Sequence, residues 1–214
     1  MYLSPLKAEV VRRQVTEDGD TLTLMSDGTL KLPDDKTLDL SEIAGEALVF
    51  DNQPGNVFRV IGNVLYVAGL MREQLVCFND KDDQNNPVHH SSLYVLCLDW
   101  TTGERLWDRS LGLGGATALA VSSDHVYVAG FREHTDDSKD KDKTCTVIAK
   151  LDQAGHLIWQ LEEITDSVPH PTEVDLRPEG LVVFVDSYNN FLHVSNRFAI
   201  SVDLDGKLQS IKTL

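Results

Sequence analysis

Apolar and polar positions alternate in short runs along the whole chain, with no sustained helical period. Val64-Leu65-Tyr66-Val67-Ala68-Gly69-Leu70 has a close counterpart in His125-Val126-Tyr127-Val128-Ala129-Gly130-Phe131, and a looser one in Gly180-Leu181-Val182-Val183-Phe184-Val185-Asp186. After each comes a second feature, a strand, a tight Asp/Gly turn and a further strand: Leu98 to Trp107, Leu151 to Trp159 and Val202 to Ser210. The turn glycines 103, 155 and 206 are spaced by 52 and 51 residues. Self-similarity at a fixed period of about fifty residues predicts a repeat architecture.

Within the second unit the runs at 116–122, 125–131, 145–151 and 156–162 predict four short strands, rich in β-branched residues and bounded by Gly, Asp and Asn. Several are apolar at consecutive positions, so both faces of each sheet must be covered. Stacked four-stranded sheets meet that need, and the expected fold is all-β and propeller-like, with three four-stranded blades and a partial N-terminal blade in a four-bladed or incomplete ring. A β-sandwich is the alternative. The single domain 1–214 divides into a partial blade at 1–33, an acidic linker at 34–55, and blades at 56–111, 112–164 and 165–214. The partial blade rests on the hairpin around Asp27-Gly28 and the strand-like Ala8 to Val15.

The spacing of Asp99, Gly103 and Trp107, and the one-residue-shorter Asp152, Gly155 and Trp159, resembles the repeat of quinoprotein-type propellers. The resemblance implies that each tryptophan docks between neighbouring blades, so these six residues are expected to pack blades together. It covers residues 57–164, and 172–214 only in outline, because Ser210 stands where the third tryptophan would be. Quinoprotein dehydrogenases themselves use a larger ring, a calcium ion and commonly an adjacent-cysteine disulfide; none of these can be placed in this chain, and no cofactor is expected.

Composition narrows the function classes. With 34 Asp and Glu against 19 Lys and Arg, the formal charge is −15, which disfavours a broad nucleic-acid-binding face. No stretch approaches the roughly 20 apolar residues of a membrane span, and charges in Met1 to Val15 argue against a signal peptide. Three separated cysteines (Cys77, Cys97, Cys145) and the lack of an N-x-Ser/Thr sequon suggest a reducing, cytoplasmic setting. Two segments, 34–51 and 162–179, each carry a net charge of −5, whereas the charged run Arg132 to Lys143 is nearly neutral.

Candidate chemistry gathers on the loops expected at one end of the blades, 71–92, 132–144, 164–171 and 187–196. They hold His89, His90, His134, His170 and His193, near Asp80, Asp82, Asp83, Asp136 and Asp137. Converging imidazoles and carboxylates would make a metal or proton-transfer site. Their spacing is not that of a helical metal motif, and the 80–91 stretch fails the calcium-loop template, with Asn85 for Gly and Ser91 for Glu. No nucleophile elbow or phosphate-binding glycine loop is present; Gly112 to Gly115 reads as a turn. The expected function is a non-enzymatic propeller-like scaffold that binds a protein partner, or a second copy of itself, through its loop face or an open strand edge. The alternative is a metal-dependent hydrolase built on the five histidines.

Overall fold

The structure, a computed structural model, describes residues 9–45, 47–49, 57–73, 90–133, 144–165, 168–189 and 194–214. They form an all-β array of four antiparallel sheets, each an up-and-down meander, and the sheets do not close into a ring. The first sheet contains β1 (Val10–Val15), β2 (Thr21–Met25), β3 (Thr29–Lys31) and β4 (Thr37–Asp39). A short helix α1 (Leu40–Ala44) follows, N-capped by the Asp39 carboxylate, which accepts from the amides of Ser41 and Glu42. The first sheet therefore has four strands, where three were expected, and runs into the segment read as an acidic linker. At three residues, Thr-Leu-Asp, β4 is too short to show an alternation.

In the second sheet β7 (Val64–Glu73), β8 (His90–Asp99) and β9 (Glu104–Leu113) run in order. Their inner neighbour is split: β5 (Ala47–Val49) pairs with residues 70–72 and β6 (Phe58–Ile61) with residues 64–67, so two short strands share one edge of β7. The third sheet comprises β10 (Gly115–Val121), β11 (His125–Glu133), β12 (Thr144–Asp152) and β13 (Leu157–Thr165). The fourth comprises β14 (Val168–Arg177), β15 (Gly180–Asn189), β16 (Val194–Asp203) and β17 (Leu208–Thr213).

Consecutive apolar positions stack these sheets. In β8, Tyr94, Leu96 and Leu98 face the first sheet, where they meet Leu22, Leu24 and Leu30, while Leu93, Val95 and Cys97 face the third, meeting Leu119, Val126 and Val147. In β11, Val126 and Val128 point back to the second sheet, and Tyr127 and Ala129 forward to Leu181, Val183 and Val185 of the fourth. Period-two geometry thus gives each central strand two buried faces, and three apolar seams join four sheets.

The Asp/Gly hairpins recur at one end of the array. Asp99, Asp152 and Asp203 each use a side-chain oxygen to accept amides two to four residues on. Such bonds close a turn that the following glycine, at φ +77°, +81° and +86°, completes. Trp107 Nε1 donates to the Gln153 carbonyl at 2.8 Å, and its ring covers Gly155; Trp159 Nε1 donates to the Leu204 carbonyl at 3.1 Å, over Gly206. Each tryptophan lies on the turn of the following sheet, where a glycine leaves room for the ring. At Gly103 the neighbour is Leu38, because the first sheet has no tryptophan at that place.

Candidate functional site

At the opposite end from these turns β7, β11, β13 and β15 end and β8, β12, β14 and β16 begin. At that end of the fourth sheet a cleft of about 500 Å³ is lined by His170, Asp186, Ser187, Ser195, Asn196, Arg197 and Leu214. Ladder register explains the grouping. His170 on β14 lies directly opposite Asp186 on β15, which lies opposite Arg197 on β16; Ser187 lies opposite Asn196. Arg197 Nε and Asp186 Oδ1 are 3.4 Å apart, both half exposed, and the Arg197 guanidinium also covers the Phe184 ring at 5.6 Å. The cleft has a polar, internally paired rim.

Its floor is different. His170 Nδ1 and Ser187 Oγ are buried and have no hydrogen-bond partner, and the one other such atom among the described residues is Thr146 Oγ1. Thr146 lies opposite Phe131 in the third sheet, and the Phe131 ring meets the His170 ring edge-on at 6.0 Å. Across the same seam, Thr117 Oγ1 donates to the Pro171 carbonyl at 2.7 Å. All three orphaned atoms therefore belong to one end of one seam, between the third and fourth sheets. A buried polar atom left without a protein partner costs about 1–3 kcal/mol unless water reaches it, so three of them at one end of one seam call for a partner.

The repeat shows that this polarity is local. Positions equivalent to Thr146, Ser187 and His170 in the preceding seam are Leu93, Arg132 and Gly115. There the space is filled: Arg132 donates through Nη2 to the Leu111 carbonyl at 2.8 Å and through Nε to the Leu113 carbonyl at 3.3 Å, and pairs with Glu162. A Cβ at Gly130 would come within 2.9 Å of Leu93. One seam is packed and clamped; its neighbour is polar and unsatisfied.

Of the five histidines expected on the loops, the structure places His170 in strand β14 and the backbone of His90 at the start of β8, opposite Glu73. His89, His134 and His193, the aspartates 80, 82, 83, 136 and 137 and the 80–89 stretch that fails the calcium-loop template lie outside the described residues. Among the described residues no three His, Cys, Asp or Glu side chains stand together as a metal donor set. The link expected at 164–171 is shorter than anticipated, since β13 reaches Thr165 and β14 begins at Val168. Pro169 and Pro171 lie in β14, an edge strand with a bulge between Pro171 and Glu173, where proline is tolerated. Ser187, Thr146, Asp186 and Arg197 were not singled out from the sequence; a serine and a threonine where the repeat otherwise carries an arginine and a leucine are the signal that points to them.

No protein-family model matches the sequence, and no curated protein resembles it significantly. Solved structures share the architecture. Cobalt-substituted apocarotenoid oxygenase of Synechocystis aligns at TM-score 0.50 and 11% identity, over 97% of this chain and 48% of that one. A tryptophan-to-alanine mutant of the same oxygenase aligns at TM-score 0.48 and 11% identity, over 94% and 47%. Drosophila Plexin A, in complex with Semaphorin 1b, aligns at TM-score 0.36 and 8% identity, over 97% and 66%. The chain spans about half the length of the oxygenase structures it matches. At these identities the likeness is one of fold. It overturns the expectation of a non-enzymatic scaffold, because the architecture shared at TM-score 0.50 is that of an oxygenase, an enzyme. No helix among the described residues is long and apolar enough to cross a membrane.

Proposed function

We propose that this chain is the propeller-like part of an enzyme, with the cleft at His170 binding a small polar substrate and His170 moving a proton at its Nδ1 atom. The observation that carries this reading is the pair of buried, partnerless atoms, His170 Nδ1 and Ser187 Oγ, in the floor of one cleft. An imidazole exchanges protons near neutral pH, and a serine hydroxyl beside the same space can donate to or accept from a bound oxygen. The Asp186–Arg197 pair opposes two charges at the rim, which suits a substrate carrying hydroxyl or carbonyl groups better than a multiply charged one. Phe131 fixes the imidazole plane by its edge-on contact.

Three further elements belong to the same reading. The Asp, Gly and Trp hairpins are read as quinoprotein-type repeats, supported by the way Trp107 and Trp159 cover the next sheet's glycine. A cytoplasmic setting is supported by Cys97 and Cys145, both free and buried. Because the sheets do not close and the chain spans half of the oxygenase structures, further blades, from a second copy or a protein partner, are proposed to complete the array.

The test is a small-molecule screen by ligand-observed NMR on the wild-type protein, with His170→Gln and Ser187→Ala as comparators. A polar ligand that binds the wild type, weakens tenfold or more in both variants, and perturbs the His170 ring signals supports the proposal. Ligands bound equally well by all three proteins, or none bound by any, would overturn it.

A further inference from the structure

At the turn end of the same seam lies a second cleft, of about 320 Å³, between the third and fourth sheets. Lys150 lines it. The residue is only 8% exposed, and its ammonium reaches a single acceptor, the Leu204 carbonyl at 3.2 Å, while lying 5.8 Å from the centre of the Tyr127 ring. An ammonium has three donors and a full charge. Among the described residues no carboxylate pairs with it, although Asp124 lines the same cleft. A buried cation without a counter-ion is costly.

Packing of the seam does not require this lysine. In the second sheet the equivalent position, opposite both Tyr66 and Trp107, is the neutral Cys97. Lys150 likewise lies opposite Tyr127 and Trp159. The Leu204 carbonyl already accepts from Trp159 Nε1, as the Gln153 carbonyl does from Trp107. What differs is the side chain on the turn. Gln153 fills the equivalent space of the preceding seam, accepting from the Tyr66 hydroxyl and donating to the carbonyls of Ser122 and Ser123. In the fourth sheet that turn position is Leu204, which is 44% exposed and leaves the space open. Two changes from the repeat therefore coincide: a filling amide is lost, and a buried cation is gained beside the vacated space. Arg177, whose Nε donates to Asp175 Oδ2 at 3.0 Å, and His125 line the same cleft.

We propose that this cleft is a binding site for a small oxyanion, held by Lys150 through a charge-assisted hydrogen bond, and separate from the His170 cleft at the other end of the seam. An oxyanion supplies the acceptors and the counter-charge that Lys150 lacks. Inorganic phosphate is the probe: the protein is titrated with sodium phosphate against sodium chloride at matched ionic strength, and backbone amide NMR signals are followed. Saturable shifts centred on Tyr127, Lys150 and Gly180 are expected in the wild type and in His170→Gln, and should be lost in Lys150→Met. Leu204→Gln, a change at a half-exposed turn position that restores the amide of the preceding repeat, should also abolish the shifts while leaving the fold intact, so the conclusion does not depend on Lys150→Met folding. No saturable shift in the wild type, or shifts that survive in Leu204→Gln, would overturn the proposal. Loss of the response in His170→Gln as well would overturn the separateness of the two sites.

Discussion

Replacing Gly155 by alanine tests how the sheets are held together. Two costs combine. Gly155 has φ +81°, in the left-handed region where an L side chain is strained by about 1 kcal/mol. The added Cβ would also stand 2.6 Å from Trp107 Cε3, against an ordinary contact of 3.4–4 Å, and a rigid ring cannot fold away from it. Trp107 must retreat by roughly 1 Å, which weakens its 2.8 Å bond to the Gln153 carbonyl, worth about 1 kcal/mol. It also loosens the ring from the core cluster of Tyr66, Cys97 and Val126, at about 1 kcal/mol more. The expected loss is about 3 kcal/mol. Gly45→Ala provides the control: with φ +79° and nothing within 4 Å of its would-be Cβ, it carries the backbone strain alone, about 1 kcal/mol. Gly103→Ala should fall between them, since its neighbour is the flexible end of Leu38 at 3.3 Å. Urea unfolding followed by far-ultraviolet circular dichroism gives all three values. Equal losses in Gly155→Ala and Gly45→Ala would refute the claim that tryptophan docking onto the turn glycine joins the sheets.

Two other expectations follow from the electrostatics. The Asp152 carboxyl is held below its ordinary value of 3.8 by the His156 amide first and the His156 ring second, and Asp99 is held down chiefly by the Thr101 hydroxyl. A depressed carboxyl contributes stability that is present above its unfolded pKa and is lost as pH falls through its lower folded value; melting temperature should therefore drop below about pH 4, less steeply in an Asp99→Asn, Asp152→Asn double variant, and identical acid limbs would count against these carboxylates. Burial pushes the Cys97 thiol up to about 12, and burial followed by the Glu162 charge raises Cys145; iodoacetamide at pH 8 should leave both unmodified in the folded protein and alkylate both in urea, and an adduct at Cys97 in the folded state, mapped by mass spectrometry, would contradict the packing described.

The all-β repeat is legible in the chain alone, because both of its signals are local. Consecutive apolar residues such as Tyr94 to Leu98 demand cover on two faces, and the Asp and Gly recurring at 99 and 103, 152 and 155, and 203 and 206 mark turns at the repeat period. His170 is marked there too, though as one of five loop histidines. That it belongs to a bulged edge strand, and that its Nδ1 shares a seam with Ser187 and Thr146, emerges only once the sheets are stacked. Those residues come from β14, β15 and β12, and their grouping depends on ladder register and on which sheet face each meets, neither of which is encoded within a few residues. The same holds for Lys150: in sequence it is one charge inside an apolar run, and the open space beside it arises because Leu204, on a turn of the neighbouring sheet more than fifty residues away, stands where the preceding repeat has Gln153.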